Sequence, residues 1–275
     1  MIEAIREKAR RLLASGEVAV VVGYAASRRG GRVVPFFARR PEDAATLVLD
    51  LRCSGGLAVF ARREAAGRPA AFVAAPEDVR ALKVLVQEKQ IPAAHVRVIA
   101  YECDAPGGAG GRVHIIEGDR IEDFADVARC TAEAALDAEI ARIEAMPPDE
   151  RWRYWRRQFD KCSRCYACRA ACAMCYCDEC IVEGNLPQWI EASARPRGNL
   201  AWNLIRAWHL AGRCTGCGAC ERACPEGIPL MLLNRFLARE VARAFDAVAG
   251  AGGVDATSVF GSWRENDRED FIVAG

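Results

Sequence analysis

Eleven of the chain's 14 cysteines lie between Cys162 and Cys224. Eight of them fall into two runs. The first is Cys162-Ser-Arg-Cys165-Tyr-Ala-Cys168-Arg-Ala-Ala-Cys172, and the second is Cys214-Thr-Gly-Cys217-Gly-Ala-Cys220-Glu-Arg-Ala-Cys224-Pro225. Both read C-x2-C-x2-C-x3-C, the spacing that holds a pair of 4Fe–4S clusters. Thiols two residues apart pair with each other only under strain, but they converge well on a common centre. Three thiolates at this spacing wrap one corner of a cubane. The fourth, beyond the longer gap, reaches the other cluster. The spacing therefore predicts one cluster on Cys162, Cys165, Cys168 and Cys224, and the other on Cys214, Cys217, Cys220 and Cys172. Gly216 and Gly218 let the second loop approach its cluster closely. Structural zinc usually takes two C-x2-C pairs at longer separation. A c-type haem needs His directly after the second cysteine, and no cysteine here is followed by His.

Cys175, Cys177 and Cys180 follow the first run closely. They read as a third cluster, as a zinc site, or as tolerated thiols. A third site needs a distant fourth ligand. Cys53, after a strand and before a helix, fits best, because a helix N-terminus lowers a thiol's pKa. Cys103, at a strand end, is next. Cys130 reads as a small core residue. Trp152, Trp155 and Phe159 form an aromatic stripe just before Cys162, expected to pack over the clusters. Arg151, Arg153, Arg156, Arg157 and Lys161 make the same helix basic, able to offset cluster charge or to steer an acidic partner. Gly108-Ala-Gly110 is not followed by a helix start, so it lacks the context of a dinucleotide site. His95, His114 and His209 are scattered, and no catalytic constellation stands out.

The elements that position these cysteines read as two kinds of structure. Residues 1–15 have helical periodicity. Runs at 17–24, 32–38, 70–74 and 96–101 read as strands, with Pro35 making the second an edge. Pro76 opens an amphipathic helix carrying Val79, Leu82 and Val86. Helical patterns cover 121–146, 149–159, 199–211 and 229–247. The expected organisation is an α/β domain over 1–120, a helical linker over 121–160, a mostly α-helical dicluster ferredoxin-type domain over 161–247, and a loop-like tail over 248–275. The chain has 38 Lys plus Arg against 37 Asp plus Glu, which argues against a nucleic-acid binder held by phosphate contacts. No apolar run reaches the ~18–20 residues of a membrane span, and the N-terminus does not read as a secretory signal. Free thiols in tight runs imply a reducing cytoplasm.

The stretch from Cys162 to Cys180, then Arg197-Gly-Asn-Leu-Ala-Trp202, the run from His209 to Pro225, Ile228-Pro-Leu and Leu233-Asn-Arg235 together resemble a family of dicluster iron–sulfur proteins. These accompany heterodisulfide-reductase-like, hydrogenase and formate dehydrogenase subunits in anaerobic bacteria. Gly23-Tyr24, Cys53 and the strand pattern of the first half resemble the beta subunits of deazaflavin-coenzyme hydrogenases and dehydrogenases. The resemblance implies single-electron transfer inside a multisubunit oxidoreductase, with flavoprotein partners. Ala173 departs from the family's usual Pro after the fourth cysteine. Two other functions stay open: a subunit that reduces flavin or deazaflavin at a site of its own in the first domain, and a zinc-stabilised docking scaffold.

Overall fold

A strand buried on both faces reads as an unbroken apolar run, and the segment ahead of Tyr24 is one. In the computed structural model this run is the strand β1 (Val20–Ala26), buried through its first six residues. The structure describes residues 2–27, 30–50, 52–53, 56–103, 113–124 and 133–265, with only the backbone of 103 and 113. The other strands are β2 (Val33–Ala38), β3 (Leu47–Val48), β4 (Ala70–Ala74), β5 (Val96–Cys103) and β6 (Val113–Ile115). The sheet order is β2-β1-β4-β5-β6, with β3 also on β1. β1, β4 and β5 are parallel, and the remaining pairings are antiparallel. Pro35 stands on β2, the edge expected from its missing N–H, opposite Tyr24.

Helix α1 (Ile2–Ala14) buries Ile5, Ala9, Leu12 and Leu13. Helix α2 (Ala61–Ala65) is short. Helix α3 (Pro76–Gln87) begins with Pro at its first turn and buries Val79, Leu82 and Leu85, with Val86 only half-buried. It also buries Lys83, whose Nζ donates to the Phe124 carbonyl at 3.0 Å.

The second part is helical. It comprises α4 (Glu133–Glu144), α5 (Pro148–Asp160), α6 (Ala167–Ala170), α7 (Pro196–Leu210), α8 (Ala219–Arg222) and α9 (Leu230–Phe245). Within 121–146 the described residues hold a 3-10 turn (Ile121–Asp123) and helix α4. Pro148 and Pro196 open α5 and α7, where a missing N–H costs nothing. Ile140 and Ile143 of α4 pack against Leu232 of α9. The same two helices are tied by Arg235, which grips Asp137 at 2.8 and 2.9 Å and reaches Glu133 at 3.2 Å.

Two compact units result: residues 1–131 with 250–258, and residues 132–249 with 259–275. The segment 250–258 joins the first unit through Gln87, whose Nε2 donates to the carbonyls of Ala251 and Gly253. Among the described residues no helix is long and apolar enough to cross a membrane.

Candidate metal centre

The two cysteine runs fold as one repeated loop. Cys162 follows α5 and Cys214 follows α7, each donating its N–H at 2.9 Å to the last turn of the helix before it. The residues two and four places on are left-handed in both loops: Arg164 (φ 57°) and Tyr166 (φ 59°), then Gly216 (φ 81°) and Gly218 (φ 69°). Tyr166 and Gly218 cap the four-residue helices α6 and α8. The fourth cysteine closes each loop alike: Cys172 N–H donates to Arg169 O at 3.1 Å, and Cys224 N–H to Glu221 O at 3.0 Å. Backbone that alternates between left- and right-handed conformations turns successive N–H groups towards one concave side, which suits an anion. A Cβ added at Gly216 would meet nothing within 4 Å, so that cradle is open.

The first loop takes this shape without glycine. A left-handed non-glycine residue costs about 1–2 kcal/mol, so something must hold Arg164 and Tyr166. Helix α7 does. Arg164 is buried and donates through Nη1 to the Gly198 carbonyl at 2.9 Å. Its guanidinium lies 5.1 Å from the Trp202 ring and 5.5 Å from the Tyr166 ring. Tyr166 meets Trp202 edge-on at 5.0 Å. Asn199 Nδ2 donates to the Cys162 carbonyl at 2.8 Å. Buried Trp202 forms an apolar cluster with Val182 and Ile190, and Cys162, Tyr166, Cys168 and Cys180 pack on it.

One turn further along α7 is Arg206, 5% exposed, donating through Nη2 to the Cys168 carbonyl at 3.1 Å. Burial opposes its charge, but Cys175, Cys172, Cys220 and Cys168 together more than offset that, and its pKa is raised. Burial in turn raises the thiols of Cys168 and Cys220 and pushes Cys214 up to about 12. Arg206 pulls the other way at all three. Cys172 is lowered, because its sulfur accepts a hydrogen bond from the Cys175 thiol, and Cys175 is raised by that same bond. Cys162 and Cys224 act on the Cys168 thiol, Cys172 and Cys220 on Cys214, and Cys172 and Cys168 on Cys220, so the thiols of both runs feel one another. Cys162, Cys168 and Cys224 also pack against one apolar cluster of Cys220, Ile228, Leu230 and Met231. Asn234 of α9 places Nδ2 3.6 Å from the Cys220 sulfur.

This donor set fits an iron–sulfur centre. Crowded, half-dry thiols repel one another when ionised and favour a cationic core that takes the place of their protons. The Nε atoms of Arg164 and Arg206 are buried without an acceptor in the protein. Unused donors beside thiols suit a group rich in sulfur acceptors.

The remaining predicted residues are placed as follows. Cys165 and Cys177 are exposed, and Cys217 is half-buried. Arg169 of α6 holds the loop of the extra cysteines, donating to the Cys177 carbonyl at 3.1 Å and to Glu183 at 2.7 Å. Among the described residues no three His, Cys, Asp or Glu side chains gather as ligands of a single metal ion. Cys53 does not have the lowered pKa expected of it. The helical stretch after it opens as a 3-10 turn (Leu57–Phe60) that runs into α2, and burial raises its thiol. Its sulfur accepts from Asp50 N–H at 3.4 Å and donates to Val48 O at 3.8 Å. The Cys103 side chain, Cys130 and Gly108–Gly110 lie outside the described residues. The aromatic stripe divides: Phe159 is buried, while Trp152 and Trp155 line an apolar cavity of about 440 Å³ with Ile140, Ile143 and Phe236.

Sequence reasoning missed Arg164, Tyr166 and Arg206 as parts of the centre. The first two were detectable: aligning the runs puts them opposite Gly216 and Gly218.

A model of the 4Fe-4S binding domain matches residues 209–229. The chain is 40% identical over 89 residues to the F420-dependent formate dehydrogenase subunit beta of Methanocaldococcus jannaschii, covering 32% of this chain and 22% of that one. It is 36% identical over 57 residues to the F420-dependent formate dehydrogenase 1 subunit beta of Methanococcus maripaludis, covering 21% of this chain and 14% of that one. The matched segments thus span less than a quarter of either relative. The chain carries a ferredoxin-type 4Fe-4S binding segment and is similar over part of its length to subunits of dehydrogenases.

Proposed function

We propose that this chain is the electron-relay subunit of a multisubunit oxidoreductase of the formate dehydrogenase kind. Cys162, Cys165, Cys168 and Cys224 hold one 4Fe–4S cluster, and Cys214, Cys217, Cys220 and Cys172 hold the second. The observation that carries this reading is the repeated left-handed loop. Its shape recurs in the first run at a conformational cost, with Arg164 and Tyr166 where the second run has glycine. Backbone strain that packing maintains marks a functional demand on the loop. The crossed ligand sets rest on the longer gap before Cys172 and Cys224.

A bound 4Fe–4S cluster supplies a one-electron couple whose potential depends on nearby charge, hydrogen bonds and solvent. The chain's residues set those conditions. Trp202, Ile228, Leu230 and Met231 keep water from the thiols of Cys162, Cys168 and Cys220. The left-handed turns aim N–H groups inward, and Asn199 and Arg164 lock the first loop to α7. The complex's other subunits, one bearing flavin and one catalytic, exchange single electrons with this one. The relatives' names support a partner of the formate dehydrogenase type.

Iron, labile sulfide, zinc and flavin measured on protein purified without oxygen test the proposal. About eight irons and eight sulfides per chain are expected from two clusters. Stoichiometric zinc with negligible iron would overturn it. Flavin that stays bound through gel filtration would make the chain a flavin-reducing subunit instead of a relay.

A further inference from the structure

The structure assigns Arg206 a role beyond holding α7 in place: it is a fixed positive charge shared by the two cluster-binding loops, and it raises the reduction potential of both. This inference rests on the two-cluster reading above.

Arg206 is 5% exposed, and among the described residues it forms no ion pair with a carboxylate. Its Nη2 donates to the carbonyl of Cys168 in the first loop. Cys220 of the second loop packs in one cluster with Cys168. Its Nε is buried without an acceptor. The groups that act on its charge are cysteines of both runs together with Cys175. A buried guanidinium without a carboxylate is costly unless other negative charge surrounds it. Thiolates and a reduced cluster provide that charge. Arginine stays protonated throughout, so its charge does not follow pH.

The consequence is electrostatic. One-electron reduction adds one negative charge to a cluster and moves no proton to Arg206. A positive charge held in a dry site stabilises the reduced form more than the oxidised one. Because Arg206 holds the first loop where Cys168 packs with Cys220 of the second, both couples should respond to its loss. A residue acting only by packing would not make loaded clusters depend on its charge.

The test uses the full chain, loaded anaerobically, with R206Q, R206M and R206K compared. W208A on the exposed side of α7 controls for general disturbance of the helix. Iron content is read first, because iron-free wild type would refute the two-cluster reading itself. Potentials then come from titration with dithionite and mediators, followed by electron paramagnetic resonance. R206Q and R206M are expected to shift both midpoints negative by at least tenfold in the reduction equilibrium, about 59 mV for a one-electron couple. R206K, which keeps the charge, should restore most of the shift, and W208A should show none. If only R206K loads clusters, the demand for charge is upheld at assembly. Loaded R206Q with wild-type potentials overturns the inference. So does equal failure of all three Arg206 variants to load, which would make the role one of shape.

Discussion

Replacing Gly198 by alanine separates helix propensity from packing, because the two predict opposite signs. Gly198 is the third residue of α7. Propensity alone favours alanine there by about 1 kcal/mol. In the structure, a Cβ at Gly198 would lie 2.1 Å from the Ser193 carbonyl oxygen and 2.9 Å from that of Glu191. Both obstacles are backbone, so no side chain can swing away. Restoring ordinary contact needs a shift of roughly 1 Å at the start of α7, and overpacking of this kind costs about 1–3 kcal/mol. The shift also moves the Gly198 carbonyl, which accepts from buried Arg164. A hydrogen bond to a charged group contributes about 1.5–3 kcal/mol. The net expectation is a loss of about 2–4 kcal/mol. For a unit of this size that lowers Tm by roughly 5–15 °C. Calorimetry of loaded protein reads the change, and iron analysis should show the cluster of Cys162, Cys165 and Cys168 lost first. The reasoning is refuted if G198A melts at or above the wild-type temperature.

Crossed ligation predicts that C224A damages the spectrum assigned through C162A more than the one assigned through C214A. The reverse result would place all four ligands of a cluster within one run. A third site on Cys175, Cys177 and Cys180 with Cys53 predicts that C177S and C53S each lower iron by about one cluster. Unchanged iron in both removes the site, and a loss in C177S alone moves the search for its fourth ligand to Cys103. Asp137 lies below the ordinary carboxylate range because Arg235 hydrogen-bonds it. Its contribution is present above the unfolded carboxylate pKa and lost as pH falls through the folded value. D137N should therefore lower stability at pH 7 and flatten the acid limb of the stability curve. A D137N curve parallel to wild type at acid pH would contradict this.

What was legible in the sequence follows patterns that local chemistry fixes. The buried strand β1, the edge position of Pro35 and the helix opened by Pro76 all came from short-range rules. β3 and β6, with two and three residues, are too short to carry a period. The eight motif cysteines stand out by spacing alone. Arg164, Arg206 and Lys83 do not, because an isolated basic residue reads as solvent-facing until its surroundings are known. At Cys53 the expected helix is present but opens as a 3-10 turn that runs into α2, and burial raises the thiol where a helix start was expected to lower it.

The unequal loops set an order for synthesis. The loop of Cys214 to Cys224 can take its shape from its own glycines as it leaves the ribosome. The loop of Cys162 to Cys172 emerges earlier but has no support until Gly198, Asn199 and Trp202 have followed it. Its thiols therefore wait longest in an unshaped chain, and chains arrested before residue 198 should leave them open to alkylating reagents. Under the proposed crossed ligation, the set of the first run waits for Cys224 and that of Cys172 waits for Cys214, Cys217 and Cys220, so neither is complete without the second run. On that proposal the centre matures as one late event, not run by run.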